Sequence, residues 1–255
     1  MAALERKRRE PPPFRLVGVR RVEYLTPFMA RVTFGGIGLD GLVIKEPAAS
    51  VRLLLPEPGA DLVVPTWSGN EFLLPDGGRP LIRTFTPRYF RVPALELDLD
   101  IVLHAGGAAS NWVKGARVGD PAAVSGPARG YVIDPAAGAF LLAGDETAIP
   151  AMAQLVDAIA PDTPIELIAE IGDPAARVPL PEHPRLKVTW AERSAAEEPG
   201  SALVPAVAGA PITAETRIWA AGEAGAMHRI RQLLFVDRGI TRSDATVRGY
   251  WKHGR

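Results

Sequence analysis

The chain has 255 residues, enough for one large domain or two of modest size. Lysine plus arginine equals aspartate plus glutamate at 29 each, so no whole-molecule charge argues for nucleic acid or an anionic membrane. It contains no cysteine, which excludes disulfides, thiol catalysis, cysteine-held iron–sulfur clusters and thiolate zinc sites, so any electron transfer needs a cofactor held by other side chains.

The chain opens on MAALERKRREPPPF, a basic stretch followed by prolines where a secretory signal would have an apolar run. It reads as a solvated arm, and with no run of transmembrane length the expected location is the cytoplasm. Five β-rich stretches follow: FRLVGVRRVEYL, FMARVTF, SVRLLLP, LIRTFTPRYF and ALELDLDIVLH. TPF, GGIG, PEPG and PDGG punctuate them. From Ala94 to Leu103 acids alternate with aliphatic residues, the pattern of a strand with one wet face. Beyond a short stretch after Gly107 there is little helical periodicity, so residues 10–136 are predicted to form a closed antiparallel barrel. The four histidines, His104, His183, His228 and His253, have no metal-ligand spacing.

The pattern changes after the DPAAG turn. AFLLAG reads as a buried strand, and Ala148, Ala151, Met152, Leu155, Val156 and Ile159 then fall on one helical face. The strands PIELIAEIG and RLKVTWAE, a helix near SALVPAVAG, the strand TRIWAAG and a helix AGAMHRIRQLLFVDRG ending at Gly239 complete an α/β domain over residues 137–255. Strands alternating with helices imply a parallel sheet, whose ligands bind at the carboxyl ends of the strands. Those ends carry Asp145-Glu146-Thr147, Gly172-Asp173, Glu192-Arg193 and Gly222-Glu223. The first opens onto a helix N-terminus, which favours anions, although its two acids oppose a bare phosphate. No GxGxxG motif is present.

Six segments, in order along the chain, carry a resemblance. They are RTFTPR (Arg83 to Arg88), HAGGAASNW (His104 to Trp112), GPARG (Gly126 to Gly130), GDETAIPA (Gly144 to Ala151), WAAGE (Trp219 to Glu223) and GYWKHG (Gly249 to Gly254). Together they resemble the siderophore-interacting proteins, FAD-dependent ferric-siderophore reductases of the ferredoxin-reductase superfamily. The resemblance implies a Greek-key FAD-binding barrel followed by a small parallel-sheet NAD(P)H-binding domain. Two positions depart from the family pattern: Phe85 stands where tyrosine is usual, and Gly107-Ala108-Ala109-Ser110 replaces GPAS. Phenylalanine keeps an aromatic face and loses the hydroxyl; the second change loosens the turn expected at the diphosphate.

Within the resemblance Arg83 binds the FAD diphosphate, a role suited to a forked, permanently charged donor. Phe85 forms an aromatic wall against the flavin; Thr84 and Thr86 flank it, Thr86 at the edge where hydride arrives, and Arg88 is a second anion contact. Gly107, Ala109 and Ser110 hold the diphosphate at a helix start, with His104 and Trp112 beside the cofactor. Asp145, Glu146, Thr147, Gly222 and Glu223 line the nicotinamide side, and Arg193 meets the NADP phosphates. Arg52, Arg129, Arg248 and Lys252 form a cationic acceptor site for an anionic siderophore. The ordinary alternatives are a surface arginine, a core aromatic residue, a serine N-cap and a helix-capping acid.

The implied reaction carries electrons from NADPH through FAD to ferric siderophore, releasing ferrous iron, with no catalytic residue beyond the flavin. NADH or a reduced ferredoxin are alternative donors, and the chain is expected to be a monomer. Rival readings are a flavin reductase serving another acceptor, a siderophore-binding protein without turnover and a nucleotide-binding regulatory module.

Overall fold

The computed structural model describes residues 10–194 and 196–254. The first nine residues of the expected N-terminal arm therefore lie outside the described residues. The chain divides into two compact units, one of residues 10–24 and 30–130, the other of residues 25–29 and 131–254.

Strands β1 (Arg15–Thr26), β2 (Met29–Gly35), β3 (Ser50–Leu55), β4 (Thr66–Trp67), β5 (Phe72–Leu73), β6 (Leu81–Phe85), β7 (Pro87–Arg91), β8 (Glu96–Val102) and β9 (Pro121–Ala128), with helix α1 (Ala108–Gly115) between the last two, belong to the first unit except for Leu25, Thr26 and Met29, which fall in the second. Seven of the strands form one sheet in the order β6-β3-β9-β1-β2-β8-β7. The two edge strands, β6 and β7, are consecutive, separated by Thr86 alone. One extended run thus pairs with β3 through Leu81–Phe85 and with β8 through Pro87–Arg91, joining both edges into the expected barrel. Val19, Val32, Phe34, Leu53, Leu97, Leu99 and Val124 fill its interior.

Strand β9 is an addition to the sequence reading. PAAVSGPA has little β-branched character, yet Ala122, Ala123 and Val124 are fully buried between β1 and β3. Small side chains suit a crowded central strand whose place is set by pairing on both sides.

The expected wet face of β8 needs correction. Asp98 and Asp100 are 2% and 8% exposed, each held by an arginine from a neighbouring strand. Arg31 on β2 grips Asp100 at 2.7 and 2.8 Å, and Arg91 on β7 grips Asp98 at 2.6 and 2.8 Å. The Thr33 hydroxyl adds a third bond to Asp98 at 2.7 Å. Alternation correctly separated the two faces of the strand; it could not reveal that bidentate arginines cover the acidic one.

The second unit contains β10 (Ala139–Asp145), α2 (Ile149–Ala158), β11 (Ile165–Ile171), β12 (Leu186–Glu192), α3 (Leu203–Gly209), β13 (Thr216–Glu223), α4 (Ala224–Arg231) and β14 (Ala245–Trp251). The sheet order is β12-β11-β10-β13-β14, parallel throughout. All six residues predicted to face inward from the first helix are buried. Helices α3 and α4 pack on Leu141, Ala143, Ile168, Ile218 and Ala220. After α4 the helix widens into a π-helix over Gln232–Asp237, ending before Gly239. Strand β14, unread in the sequence, adds the GYW segment to the sheet. The chain starts at the central β10, builds outward to β12, then returns to lay β13 and β14 on the other side. The topological switch point therefore falls between the carboxyl ends of β10 and β13, where open α/β sheets bind ligands.

Candidate functional site

In the first unit RTFTPR forms the bend that closes the barrel. Arg83 is exposed, and its Nη1 donates to the Ile82 carbonyl at 2.9 Å. Thr84 is exposed and pairs across the ladder with Arg52 of β3. Phe85 is half-buried against the barrel core, and Thr86 is buried at the joint between β6 and β7. The pairing of β7 with β8 slips between Pro87 and Tyr89, a bulge that contains Arg88. Arg88 is 7% exposed, with its guanidinium carbon 4.1 Å from the Tyr89 ring centroid, so it is a packed cation and not a solvated one.

Helix α1 begins after Gly107, whose side-chain-free cap leaves the first turn without an acid or a capping side chain. A Cβ on Gly107 would stand 2.5 Å from His104 Nε2 and 2.9 Å from Ser110 Oγ, so a larger residue requires the exposed His104 ring to shift. Ser110 departs from the N-cap alternative. It sits inside the first turn, donating its hydroxyl to the Val102 carbonyl at 3.2 Å and accepting from the His104 N–H at 3.1 Å. It therefore latches the helix to the end of β8, and no side chain caps the turn. Ala109 and Trp112 pack against the barrel core, with Trp112 stacked 6.2 Å from Phe34, while His104 is exposed. An exposed fork-shaped cation, an aromatic face and an uncapped helix start together fit a dinucleotide carrying a diphosphate and a planar ring system.

In the second unit Asp145 is 4% exposed and its carboxylate accepts four hydrogen bonds. Oδ1 accepts from the Thr147 N–H at 2.9 Å and its hydroxyl at 2.5 Å; Oδ2 accepts from the Glu223 N–H at 2.7 Å and Trp251 Nε1 at 2.8 Å. A carboxylate offers about four acceptor sites, and all are filled. Asp145, expected on the nicotinamide side, thus ties together the ends of β10, β13 and β14, and the Thr147 hydroxyl is engaged in the same network. Burial pushes the Asp145 carboxyl above its usual range against the pull of these donors. Gly222 has φ +151°, and a Cβ there would lie 2.5 Å from Asp145 Oδ2.

Glu223 caps α4, its Oε2 accepting from the Ala226 N–H at 2.8 Å. Burial opposes its charge, but the N–H groups of Ala226, His253 and Gly225 hold its carboxyl below the usual range. Glu146 accepts from the Gly172 N–H at 2.7 Å through Oε1, and burial raises its carboxyl. Arg193 follows β12 as expected, yet its side chain is only 19% exposed. Its Nη1 donates to the carbonyls of Ser194 (3.1 Å) and Glu197 (2.8 Å), and its Nε lies 3.5 Å from Glu170. Arg193 thus organises the loop after β12 and is not a free surface cation.

Of the four cations assigned to the acceptor, Arg52 is half-buried beside Phe72 with 6.0 Å to the ring centroid, and Arg129 is exposed after β9. Arg248 is half-buried on β14 opposite Ala221, and Lys252 is exposed just beyond that strand. The first pair belongs to one unit and the second to the other.

Two residues escaped the sequence reading. Trp251 stood in a recognised motif, but its hydrogen bond to Asp145 spans 106 positions. Buried Glu170 binds the N–H groups of Gly200, Ala202 and Leu203 at 2.7–3.0 Å, fastening the start of α3. A lone acid at the carboxyl end of an apolar strand was the available signal.

A Greek-key barrel followed by a parallel sheet with a switch point defines the ferredoxin-reductase fold. Residues 18–131 match the siderophore-interacting FAD-binding domain, and residues 137–254 match the siderophore-interacting protein domain. The chain belongs to the siderophore-interacting protein family. The crystal structure of a siderophore utilization protein from T. fusca superposes with a TM-score of 0.85 at 33% identity, covering 96% of both chains. An uncharacterised protein of Mycobacterium tuberculosis is 33% identical over 95% of this chain and 92% of its own. The NADPH-dependent ferric-chelate reductase of Escherichia coli is 35% identical over 57% of each chain. The first unit thus matches an FAD-binding family, and one of these relatives is named a reductase. Among the described residues no helix is long and apolar enough to cross a membrane.

Proposed function

We propose that this protein is a cytoplasmic NADPH-dependent ferric-siderophore reductase that uses FAD. The observation that carries the reading is the open Arg83 beside an aromatic wall, in a unit that matches the FAD-binding family and has an uncapped α1 start. Bound FAD would supply the conversion of one hydride into two single-electron transfers. Arg83 and the first-turn N–H groups of α1 hold the diphosphate by charge and dipole. Phe85 would offer the ring system an aromatic face, and Thr86, fixed at the barrel joint, would lie beside it. The loops ending β10 and β13 position the donor nucleotide. Arg52, Arg129, Arg248 and Lys252 attract the anionic ferric chelate, which is the substrate. Ferrous iron binds hard-oxygen chelators less tightly and leaves.

The test is anaerobic titration of FAD-reconstituted protein with NADPH, followed by ferric siderophore and a ferrous-specific chelating dye. NADPH should bleach the flavin bands, and the siderophore should restore them as the dye colours. Failure to bind FAD at tens of micromolar, a weak range by affinity arithmetic, overturns the reading.

A further inference from the structure

We propose that Asp145 and Trp251 are positioning residues for the donor nucleotide: the last strand, through one indole N–H, holds the two switch-point loops in binding geometry. The inference rests on the reading of the second unit as the donor-nucleotide unit. Three separate motifs meet on a single carboxylate. GDET supplies Asp145 and the Thr147 donors, WAAGE supplies Gly222 and the Glu223 N–H, and GYW supplies the indole of Trp251. Gly222 belongs to this arrangement because any larger residue would displace Asp145 Oδ2.

The closing segment grips the switch point twice. Besides the 2.8 Å bond from Trp251, the His253 N–H donates to Glu223 Oε1 at 3.2 Å. The other oxygen of Glu223 caps α4, so the end of the chain, the start of α4 and both loops share one hydrogen-bonded frame. Trp251 itself is 38% exposed, so its N–H, directed at a 4% exposed carboxylate, is its structural investment in the fold. Withdrawing that donor leaves a buried anion short of one partner, which draws the carboxylate toward water and takes the Thr147 and Glu223 backbones with it. A nucleotide approaching those backbones depends on their placement to a fraction of an ångström.

The variant Trp251→Phe removes the N–H and keeps a ring. NADP+ affinity is measured by calorimetry, FAD affinity by fluorescence, and steady-state constants with ferric citrate as acceptor. The expected result is a roughly tenfold weaker NADP+ Kd, the worth of about one such bond, and a KM for NADPH raised by a similar factor. The kcat and the FAD Kd should stay within about twofold, well below one decade of affinity. An unchanged NADP+ Kd overturns the inference, as does an equal loss of FAD and NADP+ binding. Trp251→Leu separates N–H from ring: weakening there with none in Trp251→Phe means the ring matters and the anchor does not. If unmutated protein binds neither NADP+ nor NAD+, the donor reading itself fails and the inference with it.

Discussion

Arg83 and Asp98 occupy opposite ends of the range of charged residues in this barrel. Among the described residues Arg83 donates to its neighbour's carbonyl and otherwise faces outward, so its fork is available to a diphosphate. Arg83→Ala should weaken FAD binding by about 1.5–3 kcal/mol, the range for charged hydrogen bonds, with thermal stability nearly unchanged. Fluorescence titration of the variant checks this, and unchanged affinity removes the assignment. Asp98 is instead a structural anion. Burial opposes its charge, but hydrogen bonds from Arg91 and Thr33 bring its carboxyl below the usual range. A lowered folded-state value means stability that is complete above the unfolded aspartate value, roughly 4, and is lost as pH falls through the folded value. Asp98→Asn should cost about 1.5–3 kcal/mol at neutral pH, because Arg91 and Thr33 lose a charged acceptor. The gap between variant and parent should narrow below about pH 4. Denaturant unfolding across that range decides it; a gap independent of pH would mean the charge contributes nothing.

Elements here are joined by glycines and acids at their ends. Three helix starts differ in chemistry. The turn leading to α2 is capped by Asp145, α4 is capped by Glu223, and α1 has no side-chain cap. Two starts are therefore already satisfied by carboxylates, and α1 is the one of these three suited to a ligand anion. At the end of β13, Gly222→Ala would force a Cβ to within 2.5 Å of Asp145 Oδ2 at φ +151°. Overpacking and backbone strain together predict a loss of about 2–4 kcal/mol, read from the denaturant midpoint. A loss below about 0.5 kcal/mol, the ordinary scatter of surface changes, would show that the frame around Asp145 yields easily.

At the scale of the whole molecule, the proposed electron transfer would divide into two half-reactions with different charge requirements. The chain has no net charge, so attraction of an anionic chelate must be local. Arg129→Glu and Lys252→Glu should each raise the apparent KM for an anionic ferric siderophore severalfold while changing flavin reduction by NADPH much less. The effect should shrink as salt rises, because screening acts over roughly 8–10 Å near physiological ionic strength. Stopped-flow measurement of each half-reaction separates the outcomes. Equal slowing of both assigns the charges to flavin binding or folding, and no effect on either returns them to the solvated surface.

The division of the chain into a barrel and a parallel sheet was legible in the residues, because periods of two and of 3.6 residues are local properties of burial. The family was legible as well, because six short segments keep most of their residues and all of their order. What the sequence left undecided concerns partners distant in the chain. Alternation separated the faces of β8, but only Arg31 and Arg91, brought in by adjacent strands, made the acidic face dry. PAAVSGPA became a central strand through neighbours on both sides, against its own weak propensity. Ser110 and Asp145 stood in motifs read from the sequence, yet what their oxygens bind follows from the fold. Ser110 reaches back to the end of β8, and Asp145 collects donors from positions 147, 223 and 251. Hydrogen-bond saturation is a property of three-dimensional proximity, and no spacing in the sequence encodes it.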